Sequence, residues 1–276
     1  MVDGISILNA TQKSTLQTTQ RLNGVRADSA NSIATGLRVN RVSDNPVDFY
    51  RAQVLSDRVS DLGAIKGNIQ LSQSGIEATN AGLNAVEDYA NQLKGIANAA
   101  KTAETAEQRD ALAQQFNQIR SQIDNLVKDT SFLGTNLLSS SSNQLTTRFG
   151  DLSQSTLVTQ GADSRVSALG VGEAASTYNS FATLSDINAA ISDINQAVSS
   201  VRSAQASYAT DIAVLNTRDN FTDALSNTLQ QGVDKLVNAD LNEEAATQLA
   251  AQVRSDLSFQ GQKILSQGDS LILGIF

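Results

Sequence analysis

The sequence predicts a mainly α protein: a long antiparallel coiled-coil helical rod with a small β-hairpin, plus paired N- and C-terminal helices. Three observations predict it. Two stretches of about fifty residues hold an apolar heptad, one short stretch alternates as a strand does, and both ends suit helices while carrying few large apolar groups.

Composition narrows the function classes before any motif is read. The 276 residues include no His and no Cys, which removes imidazole acid–base pairs, thiol nucleophiles, disulfides and the usual zinc sites. No cofactor and no metal are expected. Ser, Thr, Asn and Gln together make 99 residues, and a single Pro is present. A net charge of −8 and a pI near 4.6 argue against nucleic acid or an anionic membrane as partner. The chain has no apolar run long enough to span a bilayer and no apolar core of a secretory signal in its first 25 residues.

The first long helix is read from Leu55, Leu62, Ile69, Ile76, Leu83, Ala90 and Ala97, all seven apart, with Ile65, Val86, Leu93 and Ala100 in a companion row three residues later. Its register over residues 55–100 corresponds to about 70 Å of helix. A shorter helix doubling back follows, with Leu112, Phe116, Ile119, Ile123 and Leu126 at alternating spacings of four and three. The second long seam, over residues 184–236, steps by seven through Ile187, Ile194, Val201, Tyr208 and Leu215. Equal length and intervening connections predict that it packs antiparallel to the first. Leu55, Leu62, Ile69, Ile76, Leu83, Ile187, Ile194, Val201, Tyr208 and Leu215 are therefore the expected rod core.

Residues 139–183 differ in character. A run of four serines from Ser139 to Ser142 reads as a linker, while Leu145, Thr147 and Phe149 alternate before Gly150, and Thr156 to Thr159 follow as the second strand of a hairpin.

The ends form a third part. Gly36 stops an N-terminal helix, and Ser43-Asp44-Asn45-Pro46 starts the next with capping side chains and a proline in the first turn. At the C-terminal end Ala246, Ala250, Val253 and Leu257 keep helical spacing, which breaks at Gln260 and resumes at Ile264. The backbone entropy of ordering these arms exceeds what their sparse apolar side chains return on burial. The arms are accordingly expected to be disordered in a monomer and to fold when other copies add surface. Their self-assembly residues are Ile5, Leu8, Leu16, Leu22, Val25 and Ile33 in the N-terminal arm, and Leu249, Val253, Leu257, Ile264, Leu271, Ile275 and Phe276 in the C-terminal one. Five basic against three acidic groups in the first 45 residues, and two against five in residues 236–276, favour pairing of the ends.

The expected domains are an N-terminal arm, 1–43; the first part of the rod, 44–138; the loop and hairpin, 139–183; the second long helix, 184–238; and a C-terminal arm, 239–276.

Three segments then resemble the bacterial flagellins. Ser32-Ile33-Ala34-Thr35-Gly36-Leu37-Arg38-Val39-Asn40, followed by Ser43-Asp44-Asn45, is similar to the family's S-x-G-x-R-[IV]-x-x-x-x-D-[DN] signature. Thr130-Ser131-Phe132-Leu133-Gly134-Thr135-Asn136-Leu137-Leu138 is similar to T-x-F-N-G-x-x-L-L, with Leu133 in place of the usual Asn. Gly261-Gln262-Lys263-Ile264-Leu265-Ser266-Gln267 is the third match. The likeness covers nearly the whole chain and implies a minimal flagellin, without variable outer domains, that self-assembles into the extracellular filament driving swimming.

What the resemblance implies further is a homopolymer whose terminal helices line an inner tube, secreted without a cleaved signal through the flagellar export apparatus. Its implied partners are that apparatus, the filament cap, the hook-junction proteins and a cytoplasmic chaperone covering the apolar C-terminus. The hairpin around Gly150 is the implied element of protofilament switching. Flagellins sensed by the animal innate receptor carry Q-R-V-R-E-L, whereas the aligned residues here are Asn91-Gln92-Leu93-Lys94-Gly95-Ile96; weak activation is implied.

Two other readings stand beside this one. A hook–filament junction protein shares the Gly36 region and a Pro after the Asp-Asn pair, and a cytoplasmic coiled-coil signalling or adaptor hairpin has similar composition. An enzyme is disfavoured, because the tight acidic groups, Glu243-Glu244 and Asp44 with Asp48, stand at helix starts, where the backbone dipole stabilises acids.

Overall fold

The computed structural model describes residues 10–150 and 155–273. Five helices, α1 (Ala10–Thr35), α2 (Pro46–Thr102), α3 (Ala106–Asp129), α4 (Leu184–Val237) and α5 (Leu241–Leu273), accompany two strands, β1 (Gln144–Arg148) and β2 (Thr156–Gln160), and a short left-handed turn at Asn179–Phe181. The chain divides into a terminal unit, residues up to 59 and from 227 onward, and a central unit, residues 60–226. α2 and α4 each contribute to both.

In the central unit the heptad rows become the core. Ile69, Ile76, Leu83, Ala90 and Ala97 of α2 and Ile187, Ile194, Val201, Tyr208 and Leu215 of α4 are all buried, with Phe116, Ile123 and Val127 of α3 against them. Polar pairs flank the seam in one antiparallel register: Lys66 Nζ donates to both Asp223 carboxylate oxygens at 2.6 and 2.7 Å, Gln73 to Asn216, Gln205 to Asn84, and Arg202 Nε to Glu87 at 2.9 Å. Residue numbers rise along one helix as they fall along the other, which is how the two seams find each other without a shift.

α3 begins with a capping box, in which Thr105 Oγ1 accepts from Gln108 N at 3.2 Å and Gln108 Oε1 accepts from Thr105 N at the same distance. Its polar side chains then hold the irregular segment before α4: Asn117 Oδ1 accepts from Ala174 N, Arg120 Nε donates to Val171 O, and Asp124 Oδ1 accepts from Val166 N. Phe116 meets Phe181 edge-on at 5.4 Å, and Tyr178 stacks on Phe181. That buried ring holds Asn179, Ser180 and Phe181 in three successive left-handed conformations, φ 43°, 51° and 63°, which L-residues otherwise avoid.

The hairpin pairs Leu145 with Thr159 and Thr147 with Leu157. Its most buried side chains are the two threonines, Thr147 and Thr159, while Leu145, Leu157 and Phe149 are half-buried against the core. The Arg218 guanidinium lies over the Phe149 ring, 5.0 Å from its centroid. Residues 151–154, next to Gly150, lie outside the described residues.

The break at Gln260 interrupts only the apolar spacing, for α5 is helical through that residue. Gln is a good helix former, so a polar residue on the stripe leaves the backbone undisturbed.

Candidate assembly surface

The terminal unit is built on the first signature. Gly36 has φ 73°, its N–H closes α1 on Ser32 O at 2.8 Å, and its carbonyl accepts from Ala239 N at 2.9 Å. Leu37 forms a bridge with Asn238, and Arg38 N and Val39 N both donate to Val237 O at 2.7 and 3.1 Å. The Arg38 guanidinium adds Leu236 O at 2.8 Å and Asp48 at 3.2 Å. In the turn that follows, the Asp44 carboxylate accepts from Arg41 N and Asn40 N, at 2.8 and 3.0 Å, and these backbone bonds hold its pKa below the usual carboxylate value. Asn45 Oδ1 accepts from Asp48 N and so caps α2. Ser32, Asp44 and Asn45 thus shape the α1–α2 turn, and Gly36, Leu37, Arg38 and Val39 join it to the α4–α5 turn.

From that junction α1 and α5 run packed side by side, and their contact is unusual. The buried positions are Thr19, Leu22, Ser29 and Ser32 on α1 and Ala251 and Ser255 on α5. Thr19 Oγ1 and Ser258 Oγ are 3.1 Å apart across the seam. The large apolar residues point elsewhere: Leu249, Val253, Leu257 and Ile264 are 66, 49, 62 and 69% exposed. At 100° per residue these four fall on one side of α5, opposite Ala251 and Ser255. Apart from Leu22 the buried groups are small or polar, and an aliphatic stripe of α5 faces out.

The predicted assembly residues distribute accordingly. Leu249, Val253, Leu257 and Ile264 share the outward stripe; Leu16 and Val25 are exposed on α1; Leu22 is buried and Ile33 half-buried. Leu271 lies in the last turn of α5, while Ile5, Leu8, Ile275 and Phe276 lie outside the described residues. Of the predicted rod core, Leu62 through Leu83 and Ile187 through Leu215 are buried in the central unit; Leu55 is half-buried and belongs to the terminal unit, where it faces Gly232. Glu243 and Glu244 occupy the first turn of α5, beside Asp28 and Arg38.

Sequence reasoning passed over a second exposed apolar row, Val47, Tyr50 and Val54 at the start of α2, exposed by 58, 61 and 67%. Its signal was present as a three-and-four spacing out of phase with the Leu55 row.

The described residues hold no helix long and apolar enough to cross a membrane, and no cluster of acidic side chains that could bind a metal ion. What the terminal unit offers is surface, and surface of a kind that stable monomers keep covered.

Comparison with known proteins agrees. Residues 5–143 match the bacterial flagellin N-terminal helical region, and the chain belongs to the flagellin family. Flagellin FljK of Caulobacter vibrioides is 28% identical over 93% of this chain and 94% of its own, and flagellin FljM of the same bacterium 27% over 98% and 93%. Among solved structures, a Vibrio parahaemolyticus chain described as a flagellar hook-associated protein shares the fold, with a TM-score of 0.61 at 12% identity over 71% of this chain and 100% of that one. The protein is a structural subunit of the bacterial flagellar filament, and the heptads of α2 and α4 are its helical scaffold.

Proposed function

We propose that the subunit polymerises through its terminal unit, and that the outward stripe of α5 is the surface buried when it does. The observation that carries this reading is the inverted α1/α5 pair, which hides Thr19, Ser29, Ser32, Ala251 and Ser255 while showing Leu249, Val253, Leu257 and Ile264 to solvent. Such a pair gains little from its own seam and much from neighbours, so the arms order as copies join. One contact repeated from copy to copy propagates a helix without closing.

On this reading residues 1–43 and 239–276 form the inner tube, and 44–138, 139–183 and 184–238 the surrounding shell. Likeness to the family supports secretion without a cleaved signal through the export apparatus, growth beneath a filament cap on hook-junction proteins, and a chaperone on the apolar C-terminus. Residues 145–160 around Gly150 serve as the packing switch. The role is non-catalytic: assembly needs no bond made or broken.

The fold is shared with a hook-associated chain, and copy number per flagellum separates the two roles: thousands for a filament subunit, a few for a junction. Salt-induced polymerisation, followed by electron microscopy and circular dichroism together, tests the mechanism. Filaments appear with a gain in helicity, and deletion of 241–276 leaves a helical protein that does not polymerise; normal assembly by the deletion variant would refute it.

A further inference from the structure

The geometry points to a receiving surface for the α5 stripe: the groove lined by Tyr50, Arg51, Val54, Leu55 and Leu236, which seats Leu249, Val253 and Leu257 of a second copy of this chain. The inference rests on the reading of that stripe as an assembly surface and adds the part of the neighbour it meets.

An open polymer needs two different patches on every subunit, one to give and one to receive. The stripe is one. The groove is another apolar surface of the terminal unit: it measures about 480 Å³ and is lined almost wholly by carbon, with Val47 extending the exposed row beyond Tyr50. On α2 the row Val47, Tyr50, Val54 faces away from buried Ala52. On α5 the row Leu249, Val253, Leu257 faces away from Ala251. Each is directed outward from its own helix packing.

The two rows also match in form. The seven helical steps from Val47 to Val54 span about 10 Å, and the eight from Leu249 to Leu257 about 12 Å. The α2 row steps by three and four residues and the α5 row by four, both spacings at which helix faces pack on one another. Charge fits as well: exposed Arg51 borders the groove, and exposed Asp256 stands beside Leu257 on the stripe. A second copy therefore offers, in one element, the length, the apolar spacing and the acid that the groove lacks.

The chain has no Cys, so cross-linking is clean. Filaments of the double variant Val54→Cys/Leu257→Cys, oxidised with copper phenanthroline, are expected to give a ladder of covalent multimers on a non-reducing gel, with neither single variant exceeding a dimer. Tyr50→Cys/Leu249→Cys serves as a second pair. Filaments of both pairs that yield monomer alone overturn the inference. Independently, Val54→Glu is expected to cut polymer yield at least tenfold while monomer helicity and melting stay unchanged. Wild-type yield from Val54→Glu removes the groove alone, whereas wild-type yield from Leu257→Glu removes the stripe reading beneath it.

Discussion

The hydroxyls of Thr19 and Ser258 meet at 3.1 Å inside the α1/α5 seam, while the neighbouring Leu257 side chain is turned out to solvent. Two residues adjacent in sequence thus face opposite ways: one bonds to the chain's own helix, the other lies in solvent, where the proposed assembly would cover it.

Leu257→Glu separates these partners. It removes an apolar burial of about 1.5–3 kcal/mol from each intersubunit contact and puts a charge in its place. The concentration needed for polymerisation is expected to rise more than tenfold, measured by sedimentation, with the melting of the central unit unchanged.

Leu133 and Gly134 both have positive φ, 48° and 81°, between Phe132 and Thr135, whose backbones exchange two bonds of 2.9 Å. This is a tight turn in which an ordinary side chain is strained and Asn is favoured. The Leu133 side chain is 74% exposed, so little packing is lost on replacement. Leu133→Asn is expected to stabilise the protein by about 0.5–1 kcal/mol in urea unfolding.

Two glycines of α2 should respond oppositely to alanine. A Cβ at Gly82 would sit 2.7 Å from Thr130 Cγ2 and 2.9 Å from Leu138 Cδ1, whereas a Cβ at Gly95 meets nothing within 4 Å. Gly82→Ala is expected to cost about 1–3 kcal/mol through overpacking. Gly95→Ala should add about 0.5–1 kcal/mol by stiffening the helix. Paired thermal melts decide both.

Burial pushes Tyr178 and Tyr208 up to about 12 from an ordinary value of 10. The unfolded chain therefore loses these protons first, and stability that is intact below pH 10 falls as pH rises through 12. Tyr178→Phe strands the Gly172 N–H and the Asp193 carboxylate, bonded to its hydroxyl at 2.9 and 2.8 Å, at a cost of about 1–3 kcal/mol. Among the described residues the buried Tyr208 hydroxyl meets only the Ala162 N–H, which already donates to Leu137 O at 2.7 Å, so Tyr208→Phe is expected to cost less than Tyr178→Phe. Urea titrations of both variants from pH 7 to 12 test the assignment.

Asn91 to Ile96 lack both Arg residues and the Glu of the receptor-sensed segment, with Lys94 in place of the second Arg, and Leu93 among them is buried in the core. Soluble monomer is expected to activate receptor-bearing reporter cells weakly. Full activation would contradict that expectation.

Much of this protein was legible in its residues taken in order. A spacing of seven defines a helix face wherever it occurs, so Ile69, Ile76 and Leu83, like Ile187, Ile194 and Val201, declared their burial in advance. Gly36 and Asn45 announced the turn, because only local backbone chemistry decides where a helix stops and restarts. The flagellin motifs were legible too, although their work was not: that Arg38 reaches the Leu236 carbonyl, across 198 positions of chain, is visible only when both turns are in place.

Tertiary structure alone decided which face of α5 received a partner. Leu249, Val253 and Leu257 have the spacing of a helix face that needs cover, and spacing alone does not say whether α1 or another copy supplies it. The fold gives the place against α1 to Ala251 and Ser255 instead, facing a side of α1 on which Thr19, Leu22, Ser29 and Ser32 are buried. Periodicity records that a helix has an apolar side; what covers that side depends on groups distant in sequence or on another molecule, and no local pattern contains them.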